Sequence, residues 1–116
     1  MQPTRKKELR DAYKQREIVG GIYCILCAAT GKRWIEMTTD MAGAKNRFLF
    51  SVQMNSCIHP ALSKDWTAYG AAAFSFEALE TVAKREDEAL SDYKDGLLYL
   101  RDCHRTECPP GDLYLL

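Results

Sequence analysis

The sequence predicts an α+β domain, a small antiparallel three-stranded sheet flanked by helices. Two apolar runs around Thr30-Gly31-Lys32 read as a hairpin, Phe74 to Leu79 alternates apolar and polar residues, and the intervening stretches carry helix-period apolar positions. Taken in order, residues 4–16 hold apolar side chains only at Leu9, Ala12 and Tyr13, the narrow stripe of a charged surface helix. Gly20 to Cys27 reads as a buried strand and Arg33 to Met37 as its return. Thr38-Thr39-Asp40 offers cap oxygens to a helix from Met41 to about Met54, with Phe48, Leu49, Val52 and Gln53 on one face. Pro60 opens a short helix that runs from Ala61 to Tyr69 and stops at Gly70. Residues 85–101 form a last helix weakened by Gly96, and Pro109-Pro110-Gly111 breaks the chain into a tail.

A chain of 116 residues is one domain by length, here a core of about 18–101 with the basic helix 4–16 before it and a tail 109–116 after it. Hydrophobic residues at 47% and charged residues at 28% are globular proportions. The apolar runs are too short for a bilayer and no secretory start is present, so the expected location is the cytoplasm, with no membrane partner. Net charge is zero, yet residues 1–34 hold eight Lys/Arg against three acids. That basic third supplies candidate nucleic-acid contacts in Lys6, Arg10, Lys32 and Arg33, although a solvated helix face explains the same charges.

Gly21-Ile22-Tyr23 is followed, eleven residues after the tyrosine, by Trp34-Ile35-Glu36. Further on come Asn46-Arg47, Lys64-Asp65-Trp66, Tyr69-Gly70 and Phe74-Ser75-Phe76-Glu77. Together these resemble the GIY-YIG nuclease family, in particular a bacterial branch of small single-domain members, over roughly residues 7–80. The first motif is intact; the second reads Trp-Ile-Glu in place of Tyr-Ile-Gly. The resemblance implies a GIY-YIG-like fold and metal-dependent endonuclease hydrolysis of nucleic acid, DNA being the expected partner, and the substituted second motif implies impaired or altered chemistry.

Hydrolysing a phosphodiester takes a base for water, a cation for the phosphate oxygens and usually a divalent metal such as Mg²⁺ or Mn²⁺. By resemblance Tyr23 is the proton acceptor and Arg47 the phosphate cation, in the Asn-Arg pair of the first helix, with Ala44 where other members carry the arginine. Tyr23 read alone is equally a core tyrosine, and Arg47 a surface arginine. The metal-binding glutamate expected on the last helix is missing; Asp92 or Asp95 would have to replace it with a shorter reach, and solvated acids explain both. His59 stands near the expected site and is as well placed to cap the helix after Pro60. Trp34 and Glu36 share a strand face by alternation, but whether Tyr23 shares it depends on hairpin register. If it does, Glu36 either blocks the phosphate site or is a relocated metal ligand, and the cost of an acid beside phosphate favours blocking.

Two alternatives follow. A catalytically silent domain would bind nucleic acid or a protein partner through the same surface. A zinc-stabilised domain would use Cys24-x-x-Cys27 with Cys103-His104 and Cys108, although residues three apart on a strand point to opposite faces.

Overall fold

The computed structural model describes residues 17–57 and 59–114, so the expected helix over 4–16, with Lys6 and Arg10, lies outside the described residues. The described chain runs β1 (Val19–Cys27), β2 (Arg33–Thr38), α1 (Met41–Gln53), a 3₁₀ turn at Pro60–Leu62, α2 (Ser63–Tyr69), a second turn at Ala71–Ala73, β3 (Phe74–Ala83), α3 (Leu90–Glu107) and a final turn at Pro110–Asp112. The sheet is antiparallel throughout in the order β2-β1-β3, so the strand carrying Gly21-Ile22-Tyr23 is central. The α+β fold read from the sequence is the one observed.

Each face of the sheet has its own helix layer. Tyr23, Ile25, Cys27, Trp34 and Phe74 pack under Met41, Ala44 and Phe48 of α1, with Leu62 and Trp66 beside them. Ile22, Cys24 and Ile35 form the opposite face, with Leu79, Leu100, Cys108 and Leu113 packed on it. Cys24 and Cys27 therefore sit in different layers, which is what strand alternation requires. Among the described residues no three His, Cys, Asp or Glu side chains come together as a metal-ligand group. None of the described helices is long and apolar enough to cross a membrane.

The glycine of the first motif is a packing requirement. At Gly21 φ is +151°, and an added Cβ would lie within 2.9 Å of both the Glu80 carbonyl carbon and the Thr81 Cα and closer still to the Glu80 carbonyl oxygen. Just beyond it, a bulge between Ile22 and Tyr23 shifts pairing from Glu80 to Ala78, leaving Leu79 as the extra residue on β3. This bulge is why β3 runs on to Ala83 where alternation predicts an end at Leu79: the apolar parity changes, but the ladder continues through Thr81 and Ala83.

Two helices differ in detail from the sequence pattern. Asp40 caps α1, its Oδ1 accepting from Gly43 N at 3.0 Å, and this phase buries Met41, Ala44, Phe48 and Ser51 while Leu49 is exposed. The last helix begins five residues later than expected and continues to Glu107. Arg85 N donates to Glu88 Oε1 at 3.1 Å, making a local turn that uses the backbone before the helix starts. At the far end His104 and Arg105 complement the carbonyl end of the helix dipole. Tyr93 anchors α3 to the sheet: its hydroxyl accepts from Gly20 N at 2.8 Å and donates to the Val82 carbonyl. The tail also closes the core, since Tyr114 N donates to Arg33 O at 2.9 Å and its hydroxyl to Asp65 Oδ2 at 2.6 Å.

Candidate functional site

The hairpin register puts Tyr23 directly across from Glu36 and Ile25 across from Trp34. Cross-strand partners share a face, so Tyr23, Trp34 and Glu36 all project towards α1. On the other side of β1, Phe76 stacks on Tyr23 at 5.1 Å between ring centroids and 18° between planes, and Phe48 meets Phe76 at 5.8 Å. Tyr23 is thereby held as a rigid, nearly covered phenol, 7% exposed.

That burial, and secondarily the negative charge of Glu36, raise the Tyr23 pKa above its ordinary value; the Trp34 indole N–H and the Arg47 charge pull it the other way without prevailing. The indole nitrogen faces the phenol but completes no hydrogen bond, and it is the buried side-chain donor left without a partner among the described residues. His59 lies 6.0 Å from the Trp34 ring at a tilt of 44°. Burial lowers its pKa, with Arg47 acting in the same direction and Glu36 against it, so the imidazole is neutral near pH 7. It stands at the cap position before Pro60 without making a side-chain cap bond.

Glu36 has neighbours that sequence reasoning missed. Arg101 and Arg105, one turn apart on α3, reach past the outer edge of β2 to its carboxylate. Arg101 Nη1 donates to Oε1 at 3.0 Å and Arg105 Nη2 to Oε2 at 3.3 Å, while Met37 N also donates to Oε1 at 2.9 Å. Arg105 is fixed further by Nε donating to Ile35 O at 2.9 Å, and its guanidinium carbon lies 5.6 Å from the Trp34 ring centroid. Burial pulls the Arg101 pKa down, but the bonds and charges of Glu36 and Asp102 outweigh it and the net direction is up. The available signal was the i, i+4 spacing of two arginines on an amphipathic helix, but the acid they meet is more than sixty residues away in sequence.

The remaining candidates are dispersed. Arg47 is an exposed residue of α1 whose charge reaches both Tyr23 and His59. Lys32 lies 5.8 Å from the Tyr114 ring centroid at the hairpin end. Arg33 lines a groove on the α3 side of the sheet with Ile35, Leu79 and His104, on the face opposite Trp34. Asp92 and Asp95 are exposed in the first two turns of α3, about 13 Å and 9 Å before Arg101 along the helix at 1.5 Å per residue.

A hard divalent cation takes about six oxygen ligands. Beside Tyr23 the described side chains offer one carboxylate, Glu36, and both of its oxygens already accept hydrogen bonds, mostly from guanidinium groups. This donor set fits an anion held by arginines and does not fit a divalent cation held by acids.

The raised Tyr23 pKa gives an expected result for labelled tyrosine carbons followed by NMR. Tyr23 should titrate above the ordinary value of about 10, and Glu36→Gln should move it down by removing the repelling charge. Stability tied to the neutral phenol is present below the unfolded pKa and lost as pH rises through the folded one. An unchanged titration in the variant would show that Glu36 does not act on the phenol.

No protein-family model matches the sequence, and no curated protein matches it. Among solved structures, the chain is similar to the catalytic domain of the homing endonuclease I-TevI, with a TM-score of 0.54 and 19% identity over 76% of this chain and 86% of that one. At that identity the likeness is one of fold, and the fold is GIY-YIG-like, as the resemblance carried by Gly21-Ile22-Tyr23 implies.

Proposed function

We propose that this GIY-YIG-like domain engages the phosphodiester backbone of nucleic acid, DNA first, at the Tyr23 face, as an endonuclease-type domain with impaired hydrolysis. The observation that carries the reading is the cross-strand pair of Tyr23 and Glu36 with Arg101 and Arg105 on the carboxylate and the Arg47 charge nearby. Three guanidinium groups against two acids, Glu36 and Asp102, leave a net positive site, and guanidinium groups match phosphate oxygens. The fold's likeness to a homing endonuclease catalytic domain supports the same ligand class. Tyr23 would hold and orient through its phenol, Arg47 would take a phosphate oxygen, and Lys32 would extend the contact at the hairpin end.

Impairment is supported by the phenol itself. A tyrosine buried beside a carboxylate, with its pKa raised, is a poor proton acceptor at neutral pH. The same observation favours the second reading, a domain that binds without cutting. The family resemblance implies Mg²⁺ or Mn²⁺ for hydrolysis, but Asp92 and Asp95 lie about 13 Å and 9 Å along α3 from Arg101 and the donor set beside Tyr23 does not fit such an ion, which also supports binding without cutting.

The deciding experiment measures cleavage and binding together on supercoiled, single-stranded and branched DNA, and on RNA, with Mg²⁺ or Mn²⁺ supplied. Weak cutting is expected, reduced on the order of 10²-fold or more by Tyr23→Phe. Arg47→Ala should weaken binding across sequences and lower the salt slope by about one. Binding with no cutting selects the silent domain. Cutting that survives both substitutions, or no nucleic-acid binding at all, overturns the reading and leaves a protein ligand for this surface.

A further inference from the structure

We propose that Arg101 and Arg105 form a phosphate clamp whose resident anion is the chain's own Glu36, so that the site is self-occupied until a polyanion displaces the carboxylate. The inference rests on the reading that this face meets phosphodiesters and adds what regulates access to it.

The clamp is built to hold an anion. Each guanidinium is oriented by a second bond: Arg105 Nε to Ile35 O at 2.9 Å and Arg101 Nε to Asp102 Oδ1 at 3.2 Å. Their Nη groups are thereby aimed at a common point, where they meet the two oxygens of Glu36 at 3.0 and 3.3 Å. Here each arginine gives one charge-assisted bond to a separate carboxylate oxygen, and the oxygens of a phosphate accept from guanidinium groups in the same way. The pair is only partly covered, with side-chain exposures of 23% for Glu36, 23% for Arg101 and 31% for Arg105, so a ligand reaches it from solvent. Arg105 also lies over the ring of Trp34, whose buried N–H has no partner.

The tether sets the selectivity. A carboxylate fixed on the neighbouring strand competes as if present at millimolar concentration or above. A single phosphate in solution loses to it. A nucleic-acid backbone, bound also through Arg47, brings neighbouring phosphates and wins by the same multivalent arithmetic. Glu36 thus discriminates against small phosphates in favour of polymers.

The test is a titration of inorganic phosphate into the parent chain, Glu36→Gln, and Glu36→Gln combined with Arg101→Ala and Arg105→Ala. Arginine Nε–H resonances and thermal midpoints are the readouts. Glu36→Gln should show saturable shifts at both arginines and an apparent phosphate affinity about tenfold or more above the parent's, the scale of one charge-assisted hydrogen bond. The triple variant should show neither. If Glu36→Gln folds poorly, added phosphate should restore its transition, because it replaces the missing anion. A folded Glu36→Gln protein without saturable shifts, or an unfolded one that phosphate does not restore, overturns the clamp. The titration contains no nucleic acid, so the two readings fail separately: DNA bound through Arg47 with no phosphate in the clamp sinks only the clamp, and a phosphate-binding clamp on a protein that ignores nucleic acid sinks only the proposed function.

Discussion

Gly21→Ala is expected to remove a large part of this protein's stability. The added methyl would press on the backbone of Glu80 and Thr81, atoms held by the β1–β3 ladder, and it would impose φ of +151° on a residue with a side chain. Overpacking costs about 1–3 kcal/mol and the backbone strain about as much again. Against a typical domain stability of about 5–15 kcal/mol that is a substantial fraction. Gly96→Ala is the control: a Cβ there meets nothing within 4 Å, and the position is inside α3, so it should stabilise by about 0.5–1 kcal/mol. Thermal unfolding of the two variants should therefore move in opposite directions. A Gly21→Ala protein that melts with the parent would show that the Gly21–Thr81 pairing is wrong.

Tyr93→Phe is the second large expectation. The ring can stay in the core, but Gly20 N and the Val82 carbonyl both lose their partner in the Tyr93 hydroxyl, and Gly20 is buried. Each unsatisfied buried group costs about 1–3 kcal/mol. The urea midpoint should fall with an unchanged slope, and the Gly20 amide should exchange faster. Because the same helix carries Arg101 and Arg105, the loss should also loosen their grip on Glu36. A protected Gly20 amide in the variant would show that the hydroxyl is not its anchor.

The fold was legible wherever local chemistry decides it. Thr30-Gly31-Lys32 marked the hairpin, Asp40 the cap of α1, and Gly70 the end of α2. Legibility failed where the deciding contact is distant. Strand alternation places Trp34 and Glu36 together, but only the hairpin register decides whether Tyr23 faces them. The extra residue at Leu79 reverses the apolar parity of β3, which hides its last four residues from a period-two pattern. At the site, resemblance drew attention to acids on the last helix, whereas the groups that reach Glu36 from it are arginines. Their role is invisible until β2 and α3 are packed together. Glu36, read from the sequence as either blocking the phosphate site or serving as a relocated metal ligand, has its carboxylate paired with two arginines.

Arg105 and Tyr114 have an effect that extends to how many copies of the chain interact. As the outer strand, β2 would offer a row of free backbone groups to any passing strand. The Ile35 carbonyl is taken by Arg105 Nε and the Arg33 carbonyl by Tyr114 N. A foreign strand therefore finds two successive acceptors already engaged and a charged side chain lying across its path. The arginine that gathers Glu36 also works as a guard against edge-to-edge pairing of sheets, so stripping it away should favour fibrous aggregates.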